Sequence, residues 1–174
     1  MKNKIIYLLL SLCFLLCISA CAKTEEETLG RGEYNIYYLN SSGTELSKVK
    51  YKAESSERDE LIDELITEMM NVPGDKEVIS VFDDKVAYER HELREDVVYL
   101  YFDSNYSSMK PYKEILTRKA LANTLESVKG IKFIGIYVDE QPLVDISGEA
   151  VPLFSSADFI DGITNVNAYQ KVKL

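Results

Sequence analysis

The apolar positions of this chain change period several times, and each change marks an element. Tyr34-Asn35-Ile36-Tyr37-Tyr38-Leu39 is rich in aromatic and β-branched residues and reads as a strand, with turn chemistry behind it in Asn40-Ser41-Ser42-Gly43. The next segment alternates, with Val49 and Tyr51 on one side and Lys48, Lys50 and Lys52 on the other. Such a lysine side protects an edge strand from unwanted pairing, or it meets an acidic partner. Over residues 57–70 the period becomes helical. Leu61, Ile62, Leu65, Ile66, Met69 and Met70 form the stripe, and Glu57, Asp59, Glu60, Asp63, Glu64 and Glu68 surround it. Ser56 is the expected cap and Pro73-Gly74 the expected stop.

Three strand candidates follow, Glu77 to Phe82, Lys85 to Glu92 and Asp96 to Asp103, with a tight turn at Asp83-Asp84. The third is apolar on both faces, which places it centrally in a sheet. Pro111 opens a second helix running to about Lys129 and burying Ile115, Leu116, Ala120, Leu121, Leu125 and Val128; Gly130 ends it as a left-handed cap. Ile131 to Val138 is a further hydrophobic strand, and a turn near Asp139-Glu140-Gln141-Pro142 leads into Leu143 to Ile146. The order β-β-α-β-β-β-α-β-β predicts an α+β domain, two helices packed on one face of a mixed, mostly antiparallel sheet. The domain spans 34–147, and residues 148–174 form an extension packed on it or trailing from it.

Upstream of the domain the composition differs. Lys2 and Lys4 precede an apolar run from Ile5 to Leu16, then Ile18-Ser19-Ala20-Cys21. Residues 1–20 read as a secretory signal, and the cysteine at its end makes the motif a lipobox. Cys21 is therefore the expected lipid attachment site, and two acyl chains are enough for stable anchoring. Residues 21–33 hold the lipidated cysteine and a polar tether, whose Glu25 to Glu27 keep it solvated. The expected address is the outer face of a bacterial cytoplasmic membrane. The 174 residues carry a net charge of −9, three cysteines and one histidine. After residue 21 there is no cysteine for a disulfide or thiolate site. The acidic balance disfavours nucleic acid as a partner.

Candidate chemistry is sparse, and no cofactor is expected. His91, among Glu89, Arg90, Glu92 and Arg94, lacks a nucleophile pattern and reads as a solvated surface residue. Asp103-Ser104-Asn105 has the first spacing of a calcium loop but not its glycine or distal glutamate. Asn123-Thr124 reads as a structural polar pair. Tyr99 and Tyr101 are more suggestive. With Val98, Leu100 and Phe102 facing the helices, both tyrosines emerge on the other sheet face, as interface anchors or as cross-strand partners.

The lipobox, Tyr37-Tyr38-Leu39-Asn40, the first helix with its Pro-Gly break and the strand Val98 to Asp103 together resemble the GerM domain family of sporulation and spore germination. The stretch Leu121-Ala122-Asn123-Thr124-Leu125, through Gly130 into Phe133 to Asp139, is its most characteristic part. Two loops depart from the family pattern: Val138-Asp139 is followed by Glu140-Gln141-Pro142 in place of Val-Asp-Gly, and Ala87 to Asp96 is longer. The resemblance implies a membrane-anchored, non-catalytic interaction domain that packs against itself or an envelope protein. The alternatives are an envelope lipoprotein that binds a small ligand or cell-wall component, and a degenerate hydrolase.

Overall fold

The computed structural model describes residues 31–72, 74 and 77–159. Its secondary structure follows the periodicities. Strand β1 (Glu33–Asn40) pairs antiparallel with β2 (Leu46–Lys52). The turn between them is held by the Asn40 side chain, which accepts the Thr44 N–H at 3.0 Å. Helix α1 (Arg58–Met70) follows, then the two-residue strand β3 (Val78–Ile79) on the other side of β1, giving a first sheet of order β2-β1-β3. The second sheet has the order β4-β5-β6-β7, from Tyr88–Arg94, Val97–Phe102, Phe133–Val138 and Gln141–Pro142. Strands β5 and β6 are parallel and joined through helix α2 (Pro111–Leu125), because parallel neighbours need a long crossover. The other pairs are antiparallel.

The predicted α+β class holds, with its strands divided between two sheets. The division has a local cause. In the expected strand Glu77 to Phe82 only two residues pair, because helices capture the backbone beyond them. The Ser80 hydroxyl donates to the Met69 carbonyl at 3.0 Å, and the Thr117 hydroxyl of α2 donates to the Val81 carbonyl at 2.6 Å. One core lies between the layers. Ile36, Tyr38, Ile62, Leu65, Met69, Leu100, Phe102, Leu121 and Leu125 are all fully buried, and each such side chain stabilises the fold by about 1.5–3 kcal/mol over leaving it in water.

Several element ends differ from expectation. The residue before α1 is Glu57, with no side-chain cap, and not Ser56. The entry is held from inside the helix instead, where Glu64 accepts the N–H groups of Glu54 at 2.7 Å and Ser55 at 2.9 Å. Of the stop signal, Pro73 lies outside the described residues. Helix α2 stops at Leu125, four residues early. There the Ser127 hydroxyl takes the Thr124 carbonyl at 2.5 Å and the Val128 N–H takes that of Leu125, tightening the chain before Gly130 turns at φ +91°. Leu143 to Ile146 is not a strand. Leu143 donates to Ile136, and then Asp145 gathers the N–H groups of Ser147 and Glu149 into a turn. The extension returns to the domain at Phe154, which is buried and exchanges two backbone hydrogen bonds with Ile134 of β6.

Candidate functional site

The second sheet has one face on the core and, among the described residues, no helix over the other. Alternation along β5 sends Val98, Leu100 and Phe102 inward, all fully buried, and Tyr99 and Tyr101 outward. Register then builds the outer face in rows. Arg90 of β4, Tyr101 and Tyr137 of β6 form one; Glu92, Tyr99 and Gly135 the next; Arg94, Val97 and Phe133 the last. A bulge in β4 between Tyr88 and Arg90 precedes them.

Tyr137 stacks on Tyr101 at 5.0 Å between ring centroids and meets Tyr99 edge-on at 5.9 Å. The Arg90 guanidinium lies 3.5 Å over the Tyr101 ring, and that of Arg94 5.2 Å from the Tyr99 ring. Glu92 holds both arginines, at 2.6 and 2.7 Å, and they keep its carboxyl below the usual carboxylate range. Arg90 also reaches Glu140 at 2.8 Å. Gly135 leaves room for this packing: a Cβ there would stand 2.8 Å from the Tyr99 ring and 3.0 Å from Leu153. Tyr99 and Leu153 thus close over the β6 backbone, and Phe133, 41% exposed, continues the apolar strip.

Both candidate tyrosines therefore sit on the expected face, but they are not equivalent. Tyr101 is 5% exposed beneath Arg90, whereas Tyr99 is only half-buried. The side chains of this face that remain half-buried or exposed include Tyr99, Tyr137, Arg90, Arg94, Phe133 and Leu153. Sequence pattern alone did not point to Leu153, whose place depends on the returning extension.

His91 is corrected by the structure. Its side chain is 8% exposed, facing α1. Nδ1 lies 2.8 Å from Asp63 and 3.0 Å from the Tyr88 hydroxyl, and Nε2 lies 3.3 Å from Asp59. The Tyr88 hydroxyl also donates to Asp63 at 2.5 Å, and burial with that carboxylate pushes its phenol well up. The cluster binds β4 to α1 and includes no serine, threonine or cysteine. Asp59 and Asp63, one helical turn apart, were legible only as part of the acidic face of α1; their approach to His91 was not.

In the Asp103 loop, one carboxylate oxygen accepts the Ala87 N–H at 2.9 Å and the other the Asn105 amide, so the group closes a turn. Thr124 is fully buried and bonded to the backbone of β1. A cavity of about 310 Å³ opens between α2 and residues 143–146, lined by Met109, Leu143, Ile146 and the Glu114–Arg118 pair at 2.7 Å. Burial pushes the Glu114 carboxyl up despite Arg118. Tyr106, also on its wall, is fully buried with no hydrogen-bond partner for its hydroxyl. Among the described residues no three acidic, histidine or cysteine side chains are arranged to hold a metal. Cys21 lies outside the described residues.

A two-sheet α+β domain with a parallel helix crossover and an uncovered aromatic–arginine face is the class of protein these observations define. Residues 35–144 match the family model Germane, described as sporulation and spore germination, and the chain belongs to that family. Its fold is similar to the first GerMN domain of the sporulation protein GerM from Bacillus subtilis, at a TM-score of 0.59 and 12% identity over 73% of this chain and 98% of that one. The tandem GerMN domains of the same protein align at a TM-score of 0.51 and 19% identity, over 75% of this chain and 49% of theirs. A Clostridium perfringens chain described as a candidate lipoprotein aligns at 0.50 and 16% identity, over 72% and 88%. No curated protein sequence matches it.

Proposed function

We propose that this protein is a non-catalytic lipoprotein, held at the outer face of the cytoplasmic membrane through Cys21, whose Germane domain docks on an envelope protein or on a second copy during sporulation or germination. The observation that carries the reading is the outer face of the second sheet, where half-buried Tyr99 lies beside Arg94, Phe133 and Leu153 with no helix over them among the described residues. Aromatic and arginine side chains of this kind are the usual anchors of protein contacts. The lipobox and the description of the Clostridium perfringens structure support the address, and that of the Bacillus subtilis domain supports the process. Among the described residues no helix is long and apolar enough to cross a membrane.

Crosslinking with mass spectrometry on intact cells tests the docking. Tyr99→Ala and Arg94→Glu each lower partner capture by about tenfold, the cost of truncating an interface anchor. Capture unchanged in both removes this face from the account. Mass analysis of the mature N-terminus tests the anchor separately, since Cys21 must carry diacylglycerol.

A second reading rests on the cavity beside α2. Its lining mixes aliphatic side chains with the Glu114–Arg118 pair and Asp145, which suits a small, largely apolar envelope ligand with a polar end. Co-purification of such a molecule, lost in Ile146→Glu, distinguishes it from docking.

A further inference from the structure

The lysines of β2 stand on the far side of the first sheet from α1. The Tyr51 hydroxyl donates to Glu64 of α1 at 2.7 Å, and that of Tyr38 to the Glu68 carbonyl at 2.8 Å. Tyr51, Val49, Ile36 and Tyr38 therefore share the helix side. Lys48, Lys50 and Lys52 point the other way, all exposed and about 7 Å apart along the strand. Helix α1 and its entry expose Glu57, Asp59, Glu60 and Asp63. The first sheet thus separates a basic side from an acidic one in a chain of net charge −9.

Register places the basic side where the chain enters the fold. Lys52 is opposite Glu33, and the Ala53 N–H bonds the Gly32 carbonyl at 2.9 Å. Cys21 is eleven positions before Gly32, so the two are within about 40 Å even at full extension. We propose that Lys48, Lys50 and Lys52 contact the anionic headgroups of the bilayer that holds the chain, turning the first sheet toward the membrane and α1 away from it. This deepens the anchored reading and rests on it. Protecting an edge does not require the charges to lie at the entry point of a short N-terminal segment. At that point they complement an anionic surface that repels the rest of an acidic protein. Glu33, opposite Lys52, offsets part of this charge; at about fivefold per net charge, the docked orientation is favoured several-fold at low salt.

The test uses the full chain in vesicles of phosphatidylcholine alone or of equal parts phosphatidylcholine and phosphatidylglycerol. An amine-reactive reagent is applied and each lysine is read by mass spectrometry, with exposed Lys85 and Lys110 as references. The expected result is labelling of Lys48, Lys50 and Lys52 slowed several-fold on the anionic vesicles only, returning toward the reference rate at high salt. In the variant carrying Lys48→Gln and Lys52→Gln, the remaining Lys50 loses that protection. Equal labelling on both vesicles with Cys21 acylated overturns the proposal and leaves the anchor standing. Protection on anionic vesicles with Cys21 bare keeps the lipid contact and overturns the anchored reading. Protection of equal size on both vesicles shows contact without headgroup charge and also overturns the proposal.

Discussion

Thr124 of α2 presents its side-chain oxygen to the backbone N–H of Tyr37 at 3.2 Å, on the stretch of β1 that β3 is too short to reach. A helix thus completes the edge of a sheet. Thr117, seven positions earlier on the same helix, serves the Val81 carbonyl, so α2 holds the connection between the sheets at two points. Thr124→Val keeps the shape and removes this acceptor from the part-buried Tyr37 N–H. The expected loss is about 1–3 kcal/mol in urea unfolding, with Thr124→Ser costing clearly less.

The turn between β6 and β7 places Asp139 at φ +48° and Glu140 at φ +63°, a pair of left-handed residues that favours glycine in second place. Glu140 forgoes that ease and reaches Arg90. Glu140→Gly relieves about 1 kcal/mol of backbone strain and gives up an exposed ion pair of small value. The melting temperature is expected to rise while Arg90 is freed from one of its two carboxylates, which increases the reactivity of the Tyr101 ring edge toward iodination.

Gly135 lies under Tyr99 and Leu153. Gly135→Ala forces both outward, since real Cβ atoms essentially never stand 2.8 Å from a ring carbon. A loss of about 1–3 kcal/mol is expected from overpacking. Partner capture falls with it, and the crosslinking assay reads that directly.

Two carboxyls give the stability a pH dependence of opposite sign. Burial alone raises Glu64, but the Glu54 N–H, the Tyr51 hydroxyl and Ser55 overcome it and hold the group below its usual value. Its contribution is complete above the unfolded-chain value near pH 4.3 and is lost as pH falls through the depressed one. Burial raises Glu114 despite Arg118, so its contribution is complete at low pH and is lost as pH rises through the raised value. In urea midpoints taken from about pH 3 to pH 7, Glu64→Gln flattens the acid limb, and Glu114→Gln steepens the rise toward neutrality.

The elements with strong internal period were readable in the residues. Helix α1 follows its stripe, and β5 and β6 follow their apolar runs, because in these segments side-chain pattern and backbone pairing agree. Long-range capture was not readable. Ser80 and Val81 look like strand residues, yet their polar groups go to helices far along the chain. The outer face was legible through Tyr99 and Tyr101, whose side of β5 follows from alternation. The roof over Tyr101 was hidden because it depends on register with Arg90 and on the Glu140 turn. His91 was misread for the same reason: its neighbours in sequence are charged, but its neighbours in space are Asp59, Asp63 and Tyr88.

Strand β6 has a rim that its parallel neighbour β5 does not reach. Gln141 and Pro142, then Leu143, then Phe154 occupy that rim in succession, so the last described residues act as a selvedge on the second sheet. A chain truncated after Asp145 keeps the first three and loses Phe154, so the Ile134 end of the rim is bared to pairing with a second copy.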